Sequence, residues 1–218
     1  MKKLLRHLLR YLAIEHDRAV SLYRRVCRPD GDEWAIYIRR RGLLHGMGER
    51  CSIQTNVTFT DPAYVRLGSN VWLTGCTLLG HDASAVMLNR AFGLKLDRVG
   101  KIDIRDHVFV GHGSIILPGV TIGPNAIVAA GSVVNRDVPP DSIVAGVPAR
   151  VVGNIDRLIA RLQDQTARLP WKEALDRYRE TGDSTLRAEI ERARVRHFFG
   201  DDRCPGKPRS SLQPSEKV

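Results

Sequence analysis

Three histidines in the middle of the chain are the residues whose type suits chemistry: His81, His107 and His112. An imidazole titrates near neutrality, so it can take a proton from a weak nucleophile and hand it on. Imidazoles gathered together can instead hold zinc. Asp82 follows His81 directly and can orient that ring, hydrogen-bond a substrate, or stabilise a turn. His107 and His112 are separated by four residues. Arg136 and Arg150 offer the planar fork that grips phosphate, or are solvated surface arginines.

These residues sit in a stretch with an unusual period. Aliphatic residues recur every six positions at Ile104, Val110, Ile116, Ile122, Val128 and Val134. Four places after each comes a small or β-branched residue: Val108, Ser114, Val120, Ala126, Ser132 and Val138. Leu67, Leu73 and Leu79 repeat the period upstream, with Val71, Thr77 and Ala83 four places on. Ile53 and Phe59 repeat it again, with Val57 and Ala63, after a slip of two residues.

A period of six fits neither a helix at 3.6 nor an alternating strand at two. It fits a chain that turns a corner every six residues, and three such sides make a coil of roughly 18 residues. The aliphatic residue fills the interior and the small one the tight space beside it. Glycine, asparagine and aspartate mark the bends, as at Gly68-Ser69-Asn70 and Gly123-Pro124-Asn125. An ordinary sandwich would space its turns irregularly. The period breaks after His81, and the basic segment 84–101, with Arg90, Lys95, Arg98 and Lys101, reads as an insertion loop with a functional role.

The flanks differ in kind. Residues 1–50 carry an excess of basic residues, whereas 51–153 are nearly neutral. Residues 3–27 read as one helix with a stripe of Leu4, Leu5, Leu8, Leu9 and Leu12, packed on the protein's own core, on another subunit or on a membrane surface. Pro29 to Asp32 make a turn. Residues 154–199 read as helices: one around Ile155, Leu158, Ile159 and Leu162, one starting at Pro170-Trp171, and one from Ser184 to Phe199 with Ser184 as N-cap. Residues 200–218 have the composition of a disordered tail. The four cysteines show no C-x-x-C spacing and read as reduced thiols. Arg6, His7 and Arg10 interrupt what would be the core of a signal peptide, and no stretch is long enough to span a membrane, so a cytoplasmic protein is expected. Net charge alone favours anions, and no nucleic-acid recognition motif is present.

The period, together with A-G-S-V-V at 130–134, V-P-P at 138–140 and G-V-P-A-R at 146–150, resembles the hexapeptide-repeat acyltransferases, in particular sugar O-acetyltransferases of the galactoside and maltose type. The resemblance implies a mainly β fold: a left-handed parallel β-helix over 51–153, between an N-terminal helical segment and C-terminal helices. It implies a homotrimer that uses acetyl-CoA as co-substrate and a sugar or surface-glycan precursor as acceptor. It makes His81, just before the loop, the general base of a direct transfer, with Asp82 beside it. It assigns His112, Ala130, Asn135, Arg136 and Arg150 to the cofactor. Gln54 and Asn56 fall on the acceptor side, and Arg90 with Lys95 could close over an anionic sugar. Phe109 stands near the expected thioester. An N-acetyltransferase acting on an amino sugar is the nearest variant. The histidines also resemble those of γ-class carbonic anhydrases, which share the β-helix and bind zinc. The long basic insertion and the A-G-S and P-A-R features weigh against that reading, and no metal is expected. A scaffold without activity is a third class, marked by failure to bind CoA.

Overall fold

The computed structural model describes residues 2–200, and the side chains of 3–200. The tail expected at 201–218, and Cys204 within it, lie outside the described residues. The chain forms two compact units, residues up to 158 and residues from 159.

Most of the first unit is a stack of three-sided coils. The first coil holds β1 (Gly46–Met47), β2 (Ser52–Ile53) and β3 (Thr58–Phe59). The second holds β4 (Val65–Leu67), β5 (Trp72–Leu73) and β6 (Thr77–Leu78), and the third β7 (Ile102–Ile104), β8 (Val108–Val110) and β9 (Ile115–Ile116). The fourth holds β10 (Thr121–Ile122), β11 (Ala126–Val128) and β12 (Val133–Val134). β13 (Ser142–Ala145) and β14 (Arg150–Asn154) close the end. Successive coils pair in parallel, so each side of the coil becomes one sheet: β1-β4-β7-β10 is face one, β2-β5-β8-β11-β13-β14 face two, and β3-β6-β9-β12 face three. Among the described strands only β13 and β14 pair antiparallel, and outside the strands His81 and Val99 form an isolated antiparallel bridge.

Register explains the period. Met47, Leu67, Ile104 and Ile122 align on face one. Ile53, Leu73, Val110, Val128 and Val144 align on face two, and Phe59, Leu78, Ile116 and Val134 on face three. Each aligned residue packs on the ones above and below it, and most are fully buried. The small column is buried too, from Val108 and Ser114 to Ala126 and Ser132. Ser114 and Ser132 are satisfied there by donating to the Ala129 carbonyl at 2.9 and 2.7 Å.

Two details depart from the repeat as read in the sequence. The stack begins at Gly46 rather than at 51, because β1 pairs with β4. The side from Leu73 to Leu78 is one residue shorter than those from Val110 to Ile116 and from Val128 to Val134, all three turning at a left-handed glycine: Gly75, Gly113 and Gly131. Leu78 and Cys76 therefore take the buried places expected for Leu79 and Thr77. The insertion is not an open loop. It carries helix α4 (Ser84–Phe92), ended by Gly93, and its base is zipped by backbone hydrogen bonds from Asp82 to Arg98 and from Gly100 to Gly80.

The N-terminal segment folds as three helices, not one from 3 to 27: α1 (Lys2–His16), α2 (Val20–Cys27) and α3 (Gly31–Arg40). The break lies at Asp17 and Ala19, both at positive φ. Aspartate tolerates that conformation, and Tyr37 fixes it by donating its hydroxyl to Asp17 Oδ1 at 2.7 Å. α1 buries Leu9, Ala13 and Ile14, half-buries Leu12 and leaves Leu4, Leu5, Leu8 and Tyr11 outward, so of the leucine stripe only Leu9 is fully packed. Asp30, inside the expected turn, caps α3 by accepting from the Glu33 amide. In the second unit, α6 (Lys172–Thr181) follows Trp171. α7 (Ser184–Phe199) is capped by Asp183, which accepts from the Thr185 amide, rather than by Ser184. α5 (Ile155–Ala167) starts where the β-strands end. Among the described residues no helix is long and apolar enough to cross a membrane.

On the outside of face one, Asp103 is almost wholly covered by two arginines. Arg66 grips both its oxygens, with Nε at 2.8 Å from Oδ1, and Arg105 reaches Oδ2 at 3.0 Å. The hydrogen bonds from Arg66 hold this carboxyl below the usual carboxylate range. The folded value thus lies below the unfolded one. The interaction stabilises fully above about pH 4 and is lost as pH falls through the folded value. Thermal unfolding is expected to move to lower temperature below about pH 4, and the Arg66→Met, Asp103→Leu double variant to show a shallower dependence. An unchanged slope in the double variant would contradict this assignment.

Candidate active site

The corner between faces three and one brings a histidine against a carboxylate. Leu78 ends β6, and Gly80-His81 turn the corner of the second coil directly beneath Thr60-Asp61 of the first. Gly80 is needed here for a spatial reason. A Cβ on it would stand 2.6 Å from the Asp61 Cβ, forcing the two coils apart. With glycine present, His81 Nδ1 lies 2.6 Å from Asp61 Oδ2. Thr60 donates its hydroxyl to the same Asp61 oxygen at 2.7 Å and accepts from the Gly80 amide at 3.0 Å.

The electrostatics follow from these bonds. The Thr60 hydroxyl first, and then His81, hold the Asp61 carboxyl below its ordinary range. An ionised Asp61 can only accept, so Nδ1 carries a proton, and the hydrogen-bond network assigns the lone pair of a neutral ring to Nε2. Nε2 has no protein partner among the described residues, and the side chain is 44% exposed. Chemically this is an oriented imidazole with its basic nitrogen presented outward. The same arrangement lets a general base take a hydroxyl proton.

Asp82 does something else. It accepts from the Ser84 amide at 2.9 Å at the start of α4 and pairs with Arg98 at 3.1 Å. The hydrogen bonds from Ser84 keep its carboxyl below the ordinary range. Of the roles open to it, the geometry is that of a turn aspartate holding the insertion, and the carboxylate bonded to the His81 ring is Asp61. Sequence reading missed Asp61. Its signal is a carboxylate 20 residues before His81, one coil up the stack.

The corner between faces two and three gathers a second group. Asn56, Gly75 and His112 occupy it in successive coils. A Cβ on Gly75 would fall 2.2 Å from His112 Nδ1 and 2.8 Å from Asn56 Nδ2, so both side chains crowd over this glycine. One coil on, Gly111 lies against Ala130: its Cβ would stand 2.5 Å from the Ala130 nitrogen. Gly131 donates its amide to the His112 carbonyl at 2.8 Å. Gly75 is thus covered by the two side chains and Gly111 is buried against Ala130, whereas Gly113, Ala130 and Gly131 are exposed and carry little or no side chain along this edge. Gln54 is exposed where β2 ends, before the same corner.

The remaining candidates are spread out. Asn135 and Arg136 are exposed just after β12, on the corner of His81 but two coils further along, about 10 Å up the stack. Arg150 is exposed at the start of β14, where its Nη1 donates to the Ala149 carbonyl. Arg90 lies on exposed α4. Phe109 points outward on face two beside Trp72. His107 stands at the corner between faces one and two at φ 59°, its Nδ1 3.1 Å from Asn70 Nδ2. The three histidines therefore occupy three different corners of one chain. Among the described residues, no group of three or more histidine, cysteine or acidic side chains is placed to hold a metal.

Residues 101–136 match the family model described as bacterial transferase hexapeptide (six repeats). Galactoside O-acetyltransferase of Escherichia coli strain K12 is 34% identical over 126 residues, which cover 56% of this chain and 59% of that protein. A Schizosaccharomyces pombe protein bearing an acetyltransferase name is 33% identical over 114 residues, 50% of this chain and 52% of that one. A solved hexapeptide-repeat acetyltransferase of Vibrio cholerae has a TM-score of 0.46 at 24% identity, covering 71% of this chain and 92% of that one. The chain spans a little over half the length of the two curated relatives.

Proposed function

We propose that this chain, which carries the bacterial transferase hexapeptide repeat and resembles acetyltransferases in sequence, is itself an acetyl-CoA-dependent O-acetyltransferase acting on a hydroxyl of a sugar or surface-polysaccharide precursor. The observation that carries this reading is the Asp61–His81 pair with its outward Nε2. The likeness to a galactoside O-acetyltransferase supports the type of reaction and the class of acceptor. In this reading the three-sided coil winds left-handed, against the usual crossover preference.

Acetyl-CoA supplies an activated acyl carbon and a thiolate leaving group. The chain's part is to hold and move a proton. His81 Nε2 accepts the acceptor's hydroxyl proton as that oxygen bonds to the acyl carbon, and returns it to the departing sulfur, so the ring ends as it began. Asp61 holds the ring in its working tautomer and steadies the imidazolium between the two steps. The exposed small-residue edge at Gly113, Ala130 and Gly131 suits the pantetheine arm, and Arg136 and Arg150 suit the nucleotide phosphates.

His81 and the His112–Ala130 edge lie on different corners of one coil stack. The reading therefore requires an assembly, a homotrimer, in which one protomer's His81 corner meets its neighbour's small-residue edge. The apolar side chains that α4 leaves exposed, Val86, Met87 and Phe92, support such contact.

Two measurements test this reading. Purified protein with acetyl-CoA should release free thiol only when a sugar acceptor is added. Thiol release that no acceptor in a broad panel of sugars stimulates would contradict it. Asp61→Asn is expected to lower kcat by roughly 10- to 100-fold through loss of ring orientation, with KM for acetyl-CoA unchanged, whereas Asp82→Asn should leave kcat nearly intact. The reverse ranking would return the orienting role to Asp82.

A further inference from the structure

A cavity of about 560 Å³ opens on face one beside the His81 corner. It is lined by the Arg66–Asp103 pair, Tyr64 and the segment Val99-Gly100-Lys101. That segment is the one zipped to the His81 segment: Val99 bridges His81, and the Gly100 amide donates to the Gly80 carbonyl at 2.9 Å. Tyr64 is tied to the other half of the pair, since its amide donates to the Asp61 carbonyl at 3.0 Å. Both members of the Asp61–His81 pair are thus one backbone contact from the cavity wall. Lys101 lies two residues beyond Val99, about 7 Å along the chain from the bridge to His81.

The chemistry of the cavity is specific. The single buried carboxylate, Asp103, is already satisfied by Arg66 and Arg105. Arg66 spends Nε and Nη2 on it, and its Nη1 has no protein partner among the described residues. Lys101 Nζ has none either. A positive surplus therefore remains, which attracts an anion. Ala63, the Tyr64 ring and Val99 give the lining an apolar part, together with one phenolic hydroxyl and the His45 imidazole. The volume is that of an ordinary small-molecule site. A bare inorganic anion would leave this apolar part uncovered. A sugar that carries a carboxylate uses both, with its ring on the apolar part and its charge on Lys101 and Arg66.

We propose that this cavity is an acceptor subsite for a carboxylated sugar, a glycuronic-type ring whose carboxylate is anchored by Lys101 and Arg66 while a hydroxyl is turned to the His81 corner. The subsite rests on the acetyltransferase reading for its role, though not for its binding chemistry. Arg90 is not among the residues that line it.

The test is calorimetric titration of the full chain with methyl β-D-glucuronide, methyl β-D-glucoside and inorganic phosphate, repeated with Lys101→Met. Lys101 is exposed, so the variant is expected to fold as the wild type does. The glucuronide should bind at least about tenfold more tightly than the glucoside, and Lys101→Met should remove most of that preference. Equal affinity for the two glycosides, no binding of the glucuronide, phosphate binding more tightly than the glucuronide, or an undiminished preference in Lys101→Met would each overturn the proposal. Titration needs no turnover, so a chain that binds glucuronide yet transfers no acetyl group would sink the enzymatic reading alone.

Discussion

Replacing His81 with alanine is expected to lower kcat for acetyl transfer by about 10²- to 10⁴-fold, the usual contribution of a positioned general base. In the proposed mechanism the substitution removes the group that takes the hydroxyl proton and leaves the small-residue edge intact. His81 is exposed at a corner, and among the described residues its ring hydrogen-bonds to Asp61 alone. Folding and CoA affinity are therefore expected to stay near wild type. The two readouts separate a base from a structural residue: a base variant loses kcat at constant KM for acetyl-CoA, whereas a structural variant loses thermal stability as well. A rate within a few-fold of wild type would remove His81 from the mechanism. Asp61→Asn should fall between the two, because a displaced imidazole still retains its lone pair.

Ile116→Ala is expected to destabilise the fold by about 2–5 kcal/mol, the range for removing a large aliphatic side chain from a packed interior. Ile116 is fully buried on β9, stacked between Leu78 below and Val134 above in register. The solenoid has no other way to bury its sides, since each coil packs only on its neighbours. A cavity in the third coil thus weakens its contacts with both flanking coils. For a chain of this size the loss corresponds to a fall in the unfolding temperature of roughly 4–20 °C. Leu79→Ala, at the position the sequence period had placed in the interior, should cost much less, because Leu78 is the buried residue there. Equal losses in the two variants would contradict the observed register.

The solenoid was legible because its physics is one-dimensional. The aliphatic column repeats every six residues wherever three equal sides are stacked, and it stays in phase from Ile104 to Val134 without help from distant chain. Reading failed where a local event changed the count. The side from Leu73 to Leu78 lacks one residue, and only the backbone shows that Leu78 and Cys76 move inward in consequence. The helices were harder for a different reason. Nothing local stops a helix at Asp17; a tertiary hydrogen bond from Tyr37 fixes the left-handed break. In α4 the N-cap position falls on Ala83, and the first helical amide, Ser84, is met instead by Asp82, one residue before that cap, so the start is displaced from the usual capping pattern.

The site shows the same division. His81 could be singled out because the repeat breaks immediately after it. Its partner could not be read from adjacency, since a coil brings residues about one turn apart into contact, and Asp61 lies 20 positions upstream. Asp82, next in sequence, points instead into the turn that starts the insertion. The meeting of Asn56 with His112 over Gly75 likewise arises from stacking. Pairings of this kind become visible in sequence only once coil register is assigned residue by residue.

The most direct measurement is a crystal structure of the assembled protein with CoA bound. The expected result is a homotrimer in which the thiol lies within about 4 Å of His81 Nε2, with the pantetheine arm along the Gly113–Ala130 edge of a neighbouring protomer. A thiol more than about 10 Å from every His81, or CoA bound away from that edge, would contradict the account.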